Sequence, residues 1–237
     1  MKIKKYPNDE RGKMDFGWLK ANYMFSFSSW YNPEQVHFGA LRVLNDDIID
    51  PGMGFSTHPH DNMEIITVPW QGSLAHKDST GGGGLIKKGD VQVMSAGSGL
   101  THSEKNGSVT EKAHVFQIWI FPNEKDVSPR YEDKHFSVFE DWNRSALVAS
   151  ADGREESIRI HQNAFVSLHH YEAGQTLNYP VYAKGNGLFL FLIEGQLEVQ
   201  GTKMEARDGL GIEDFNELSI KTTENSSWIA LEVPMAW

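Results

Sequence analysis

The chain has 237 residues, a net charge of −10, 39% hydrophobic and 23% charged residues, and no cysteine. At roughly 100–200 residues per domain, that length fits one large or two small globular domains and not a disordered chain. The acidic balance disfavours direct contact with nucleic-acid phosphates, and the lack of cysteine excludes disulfides, zinc–thiolate sites, iron–sulfur clusters and a cysteine nucleophile.

The start, Met1-Lys2-Ile3-Lys4-Lys5-Tyr6-Pro7, carries no apolar run after its lysines, so no secretion signal is expected there. No stretch approaches the ~18 apolar residues of a membrane span. A soluble, cytoplasmic protein is expected. Further along, apolar or alternating runs between glycine clusters read as strands at 36–44, 63–68, 91–94 and 114–120. The second half repeats this at 165–169, 188–193, 196–199 and 228–233. Many short strands separated by turns predict an all-β chain. No long amphipathic helix is expected, only helical turns near 32–35 or 140–143.

The halves resemble each other. Ile66-Thr67-Val68-Pro69-Trp70-Gln71-Gly72-Ser73-Leu74 and Phe191-Leu192-Ile193-Glu194-Gly195-Gln196-Leu197-Glu198-Val199 are both strand, glycine turn, strand. Gly89-Asp90 and, less cleanly, Asp208-Gly209 follow at matching places. A duplicated barrel is therefore expected. The polar, proline-bearing segment 121–130 is the linker candidate, and the boundary is set near residue 135, giving domains 1–135 and 136–237.

The chemistry concentrates in the first half. In Gly52-Met53-Gly54-Phe55-Ser56-Thr57-His58-Pro59-His60-Asp61-Asn62-Met63-Glu64, the two histidines are two apart and share a strand face, and Glu64 has the same parity. About 40 residues on, in Gly99-Leu100-Thr101-His102-Ser103-Glu104, a further histidine and carboxylate are again two apart. Together these offer three imidazoles and one or two carboxylates, a donor set suited to first-row divalent metals. By parity alone, either Glu64 or Glu104 can be the carboxylate. Phe38, Met53 and Phe55 flank the ligand strand and are candidates for an apolar pocket beside it. Ser103 cannot share a face with His102, which disfavours a serine nucleophile. Gly81-Gly82-Gly83-Gly84 lacks the Gly-Lys-Ser/Thr of a phosphate loop and reads as a hairpin turn.

The first stretch resembles cupin motif 1, through Gly52, His58, His60, Glu64 and Gly72, with one extra residue before Gly72. The second resembles cupin motif 2, through Gly89, Gly97, His102 and Asn106, with a longer glycine-rich turn. His-Pro-His-x3-Glu, then His76-x-Asp78-Ser79, then the run from Gly89 to Glu104 resembles the pirin family of two-cupin proteins over roughly residues 35–135. The resemblance implies an all-β bicupin of two tandem jelly-roll-like barrels with a metal in the first. It implies His58, His60, His102 and Glu104 as ligands, with Glu64 left to orient a ligating imidazole or to exchange as ligand. Iron(II) is then the expected metal; manganese, cobalt, nickel, copper and zinc also suit these donors. Four protein ligands in an octahedral field leave two open positions.

The second half lacks such a set. Its His-x-His slot holds Pro180-Val181-Tyr182, no histidine follows Gly209 where the second motif needs one, and His161, His169 and His170 read as structural. The second barrel is expected to bind no metal.

By resemblance, bacterial relatives are flavonol 2,3-dioxygenases. A flavonol such as quercetin then meets the metal through its 3-hydroxyl oxygen, Glu104 takes the hydroxyl proton, dioxygen reacts, the heterocycle opens and carbon monoxide leaves. The alternative implied by eukaryotic relatives is an iron-dependent redox sensor, a transcriptional co-regulator working through a protein partner. A third is another small-molecule enzyme on the same site, since one fold hosts many chemistries.

Overall fold

The computed structural model describes residues 1–236. Its first twelve strands are β1 (Lys2–Tyr6), β2 (Gly12–Asp15), β3 (Leu19–Tyr23), β4 (Leu41–Ile49), β5 (Gly54–His60), β6 (Glu64–Gln71), β7 (Ser73–Asp78), β8 (Gly83–Lys87), β9 (Asp90–Ser95), β10 (Leu100–Asn106), β11 (Ala113–Ile120) and β12 (Arg130–His135). Ten more follow: β13 (Arg144–Ser150), β14 (Ile158–Arg159), β15 (Phe165–Tyr171), β16 (Thr176–Asn178), β17 (Asn186–Glu194), β18 (Gln196–Val199), β19 (Thr202–Glu205), β20 (Gly209–Glu213), β21 (Ser219–Thr222) and β22 (Ser226–Pro234). Each half combines a seven-stranded and a four-stranded sheet. The first pairs β12-β9-β6-β11-β4-β3-β2 with β5-β10-β7-β8; the second pairs β1-β20-β17-β22-β15-β13-β14 with β16-β21-β18-β19. The chain is thus an all-β bicupin.

The two large sheets meet through one continuous core holding Ile66, Val68, Phe116 and Ile118 from the first half and Phe189, Phe191, Ile229 and Leu231 from the second. Strand alternation explains how β17 serves two cores. Phe189, Phe191 and Ile193 enter the shared core, while Leu188, Leu190 and Leu192 fill the second barrel. The apolar run 188–193 of β17 is what a strand buried on both faces requires.

The repeat is visible in the turns. Gly72 and Gly195 both take positive φ, 69° and 87°, between equivalent strands. Asp90 accepts the amide of Lys87, and Asp208 accepts that of Glu205. The true counterpart of Gly89-Asp90 is therefore Arg207-Asp208, with Arg207 held at φ 74° where Gly89 has 95°.

Two expectations change. The strand expected over 36–44 begins at Leu41, because Gly39 at φ 51° turns the chain and bridges Phe38 to Leu41. Of the expected turns, 32–35 is a single hydrogen-bonded turn, Gln35 N to Asn32 O at 3.0 Å, and the 3-10 turn Ser137–Phe139 ends at Glu140; further 3-10 turns form at Asn8–Glu10 and Arg154–Glu156. Segment 121–130 leads into β12, which pairs with β9 up to His135–Asp90; we propose the barrel boundary at that point. β1 is exchanged across it, pairing with β20.

A buried ionic cluster ties the halves together. Asp46 meets Arg11 at 3.0 Å, His114 at 2.5 Å and Arg207 of the second half at 3.7 Å. Burial pushes the Asp46 pKa up, but the His114 hydrogen bond and the two arginines outweigh this and hold it below its ordinary 3.8. A carboxylate with a depressed folded-state pKa stabilises above its unfolded pKa and loses that contribution as pH falls through the folded value. Asp46→Asn is expected to cost about 3 kcal/mol at pH 7, because it leaves buried cations uncompensated. The deficit should narrow below pH 3.8. Denaturant unfolding of both proteins at pH 7 and at acid pH checks this; equal stability at pH 7 would contradict it.

Candidate metal centre

The site forms between the small and large sheets of the first barrel. Antiparallel pairing sets His58 of β5 opposite His102 of β10, and His102 opposite Asp78 of β7. One row along, Glu104 faces Phe55 on one side and His76 on the other. Between these rows β5 carries one extra residue, a bulge that brings Phe55 and His58 to the same face although they are three apart. Gly54 allows the crossing, since a Cβ there would lie 2.2 Å from the Glu104 carbonyl oxygen.

The result is a tight imidazole cluster. Ring centroids are 4.9 Å apart for His58–His60, 4.4 Å for His58–His102 and 4.8 Å for His60–His102. One ligand atom from each of the three lies within 4.8 Å of the others, and His76, His102 and Glu104 form a second such group sharing His102. Burial lowers the pKa of His60 to about 4 and of His102 to about 3, with the neighbouring histidines adding to the effect. Both rings are neutral at pH 7 and offer lone pairs. Burial pushes Glu104 up to about 7, against the hydrogen bonds it accepts.

The hydrogen bonds orient these donors. His58 donates Nδ1–H to the Ser56 carbonyl at 2.8 Å, leaving Nε2 free to coordinate. His102 Nδ1 lies 3.4 Å from His76 Nδ1, and Gln92 Nε2 lies 3.4 Å from the same atom. His76 Nε2 meets Asp78 Oδ2 at 3.1 Å. The carboxylate can only accept, so His76 donates from Nε2, accepts at Nδ1, and receives the His102 proton there. His102 Nε2 is then left bare. Asp78 is in turn wrapped by the glycine-rich turn, accepting from Thr80 N, Thr80 Oγ1 and Gly82 N.

A metal fits what remains. His102 Nε2 and Glu104 Oε1 are buried without a hydrogen-bond partner, which is costly unless something satisfies them. Glu104 Oε2 is fixed by Gln117 at 2.7 Å. His58, His60, His102 and Glu104 are the residues that could hold the ion, while both nitrogens of His76 are engaged elsewhere. Metal-bound imidazoles are tuned by the acceptor on their other nitrogen. His76→Phe is therefore expected to weaken metal affinity about 10–100-fold, measured by chelator competition; unchanged affinity would mean that His76 does not hold His102.

Beside the cluster lies a cleft of about 410 Å³, within the range of small-molecule sites. Its walls are aromatic: Trp18 packs edge-to-face on Phe55 at 5.3 Å, Phe27 on Trp119 at 5.3 Å, and His60 on Trp119 at 4.9 Å. Asn45 and Asp47 also line it. Burial, with Asp46 and Glu104 nearby, raises Asp47 well above the usual carboxylate range.

Of the sequence candidates, His58, His60, His102, Glu104 and Phe55 come together here. Three do not. Glu64 is buried in the large sheet, where Ser95 Oγ donates to its Oε2 at 2.8 Å. Parity counted from His60 fails because the chain turns at Asn62, φ 45°, and crosses to the other sheet before β6 begins. Phe38 lies in the shared inter-barrel core, 5.5 Å from the ring of Phe189. Met53 precedes β5 in the Asp50–Met53 turn and is 44% exposed. Trp18, Tyr23, Phe27 and Trp119 line the cleft instead.

In the second barrel the equivalent interior is packed with Leu188, Leu190, Leu192, Leu197, Leu210 and Met204. His169 stacks on Trp228 at 4.7 Å, and His170, facing the other way, stacks on Trp142 at 3.7 Å. Among the described residues, no group with metal-ligand spacing falls there.

Two barrels, one of them carrying a histidine–carboxylate cluster open to a cleft, define a bicupin with a single candidate metal centre. Residues 7–120 match the family model for pirin, and residues 147–233 match that for the quercetinase C-terminal cupin domain. The chain belongs to the pirin family. It is 37% identical over 226 residues to the quercetin 2,3-dioxygenase of Escherichia coli K12, covering 95% of this chain and 96% of that one. It is 38% identical over 231 residues to a pirin-like protein of Caulobacter vibrioides, covering 97% and 99%. Among solved structures, the bacterial pirin YhhW of Escherichia coli in complex with nickel(II) superposes with a TM-score of 0.93 at 36% identity, covering 98% of this chain and 99% of that one.

Proposed function

We propose that this protein is a metal-dependent dioxygenase that opens the heterocycle of flavonols such as quercetin and releases carbon monoxide. In this reading His58, His60, His102 and Glu104 are the ligands. The observation that carries it is the joining of that cluster to a cleft with aromatic walls and a volume of about 410 Å³. The name of the Escherichia coli relative supports it. A divalent metal bound there, iron(II) ahead of manganese, cobalt, nickel, copper or zinc, would supply Lewis acidity toward substrate oxygen, and any of these but zinc would also supply redox capacity toward dioxygen.

The chain's own residues do the rest. Trp18, Phe27 and Trp119 hold a planar ring system and keep water from it. Glu104, with Oε2 fixed by Gln117, presents Oε1 to the site; in this reading it gives up its place as ligand when the flavonol binds, and Oε1 takes the 3-hydroxyl proton. The balance is one flavonol and one dioxygen to one ring-opened ester and one carbon monoxide, the carbon bearing the 3-hydroxyl being lost. No described helix is long and apolar enough to cross a membrane, and we assign this activity to the cytoplasm. Turnover under ¹⁸O₂ tests the reading: both labelled atoms are expected in the ring-opened product, and an unlabelled product would refute it.

A further inference from the structure

The two barrels differ most in what their large sheets present to the interior. Where the second carries Leu188, Leu190 and Leu192 on β17 and the Ser167–His169 pair on β15, the first carries a polar row across four strands: Asn45 is in register with Gln117, Gln117 with Thr67, and Thr67 with Gln92. Part of this row serves the metal side, since Gln117 donates to Glu104 and Gln92 approaches His76. Asn45 and Asp47 are not accounted for in that way. They stand two apart on β4, share a face, line the cleft and are 5% and 3% exposed. Asn45 Oδ1 and Asp47 Oδ1 have no hydrogen-bond partner. Their neighbour Asp46 faces the other way and meets three partners. Neither Asn45 nor Asp47 belongs to a group with metal-ligand spacing. Two unpaired acceptors buried in an apolar cleft are destabilising, and a ligand bearing hydroxyl donors would satisfy them.

We propose that Asn45 and Asp47 form a hydroxyl-reading subsite, which selects planar aromatic substrates carrying phenolic hydroxyls besides the one that meets the metal. This rests on the flavonol reading and adds to it the feature by which one flavonol is preferred over another. A site built to bond a hydroxyl leaves its own buried groups unpaired when that hydroxyl is absent, and so rejects the analogue lacking it.

The test uses metal-loaded protein without dioxygen and measures binding of quercetin, of 3-hydroxyflavone, which lacks the further ring hydroxyls, and of resorcinol, a non-chelating dihydroxybenzene. The intact protein is expected to prefer quercetin over 3-hydroxyflavone by about 10–100-fold, one or two buried hydrogen bonds' worth. In Asp47→Leu and Asn45→Leu that preference should fall to about 2-fold, with 3-hydroxyflavone binding kept and resorcinol binding lost. Asp47→Leu should also unfold at an equal or higher temperature, because it removes an unpaired buried carboxyl; a merely structural residue would lose stability instead. Asp47→Asn keeps the shape and serves as the second variant, with an intermediate preference expected. An unchanged preference in the leucine variants, or no preference in the intact protein, overturns the subsite. Failure of both flavonols to bind the intact protein while resorcinol binds in an Asp47-dependent way would refute the flavonol reading and leave the subsite standing. If resorcinol also fails to bind, the subsite falls with it.

Discussion

Replacing His102 by alanine is expected to strip the protein of its metal and lower turnover by more than about 100-fold. The magnitude follows from comparison: removing a group that only orients a ligand costs about 10–100-fold in metal affinity or activity, and His102 is proposed as a ligand itself. It is also the residue shared by both groups with metal-ligand spacing, so its loss disrupts either arrangement. The same substitution should cost the metal-free fold about 2 kcal/mol, because it opens a cavity at a 2% exposed position and removes the His102–His76 hydrogen bond. The signature is therefore the response to metal. The rise in unfolding temperature on adding metal, measured for each protein against its own metal-free form, should occur only in the parent. A variant that still retains metal at parental affinity would exclude His102 from the site.

Glu104→Gln should separate chemistry from binding. Gln117 Nε2 now donates to Glu104 Oε2 at 2.7 Å, and a glutamine can offer its carbonyl oxygen to the same donor, so the side chain should stay in place. The amide nitrogen that replaces Oε1 can neither accept a proton nor bind a metal, so the variant is compared with the parent at saturating metal. Turnover is expected to fall about 10²–10⁴-fold, the usual contribution of a positioned base, with flavonol affinity under anaerobic conditions changing far less. Single-turnover kinetics beside a binding titration measure both quantities. Unchanged turnover would remove Glu104 from the role of base.

The sequence made the fold legible because its strands obey simple alternation and its turns are marked by glycine. The His-x-His and His-x-Glu spacings pointed to His58, His60, His102 and Glu104 because each pair lies within one strand, where parity is reliable. Glu64 shows where parity stops: four residues after His60 the chain has changed sheets, and nothing between them announces it beyond Asp61-Asn62. The pocket is less legible. Flanking position in the sequence points to Phe38 and Met53, whereas the aromatic walls come from β3, the loops beside it and β11, brought in by non-local pairing. A further signal lies in the polar residues of the strands. Asn45, Asp47, Thr67, Gln92 and Gln117 sit at positions of otherwise apolar strands, and a polar residue at a core position of a strand marks a lined cavity or a buried network. The leucines at 188, 190 and 192 mark the opposite case, strand positions packed into an apolar core.

The most direct test of the central claim, a first-barrel metal centre that cleaves flavonols, is a reconstitution. Protein stripped of metal and the same protein reloaded with iron(II) are each given quercetin, with and without dioxygen, while quercetin absorbance and carbon monoxide are followed together. The account predicts loss of quercetin with matching carbon monoxide release only when iron and dioxygen are both present. Intact quercetin and no carbon monoxide, with iron shown to be bound, would contradict it.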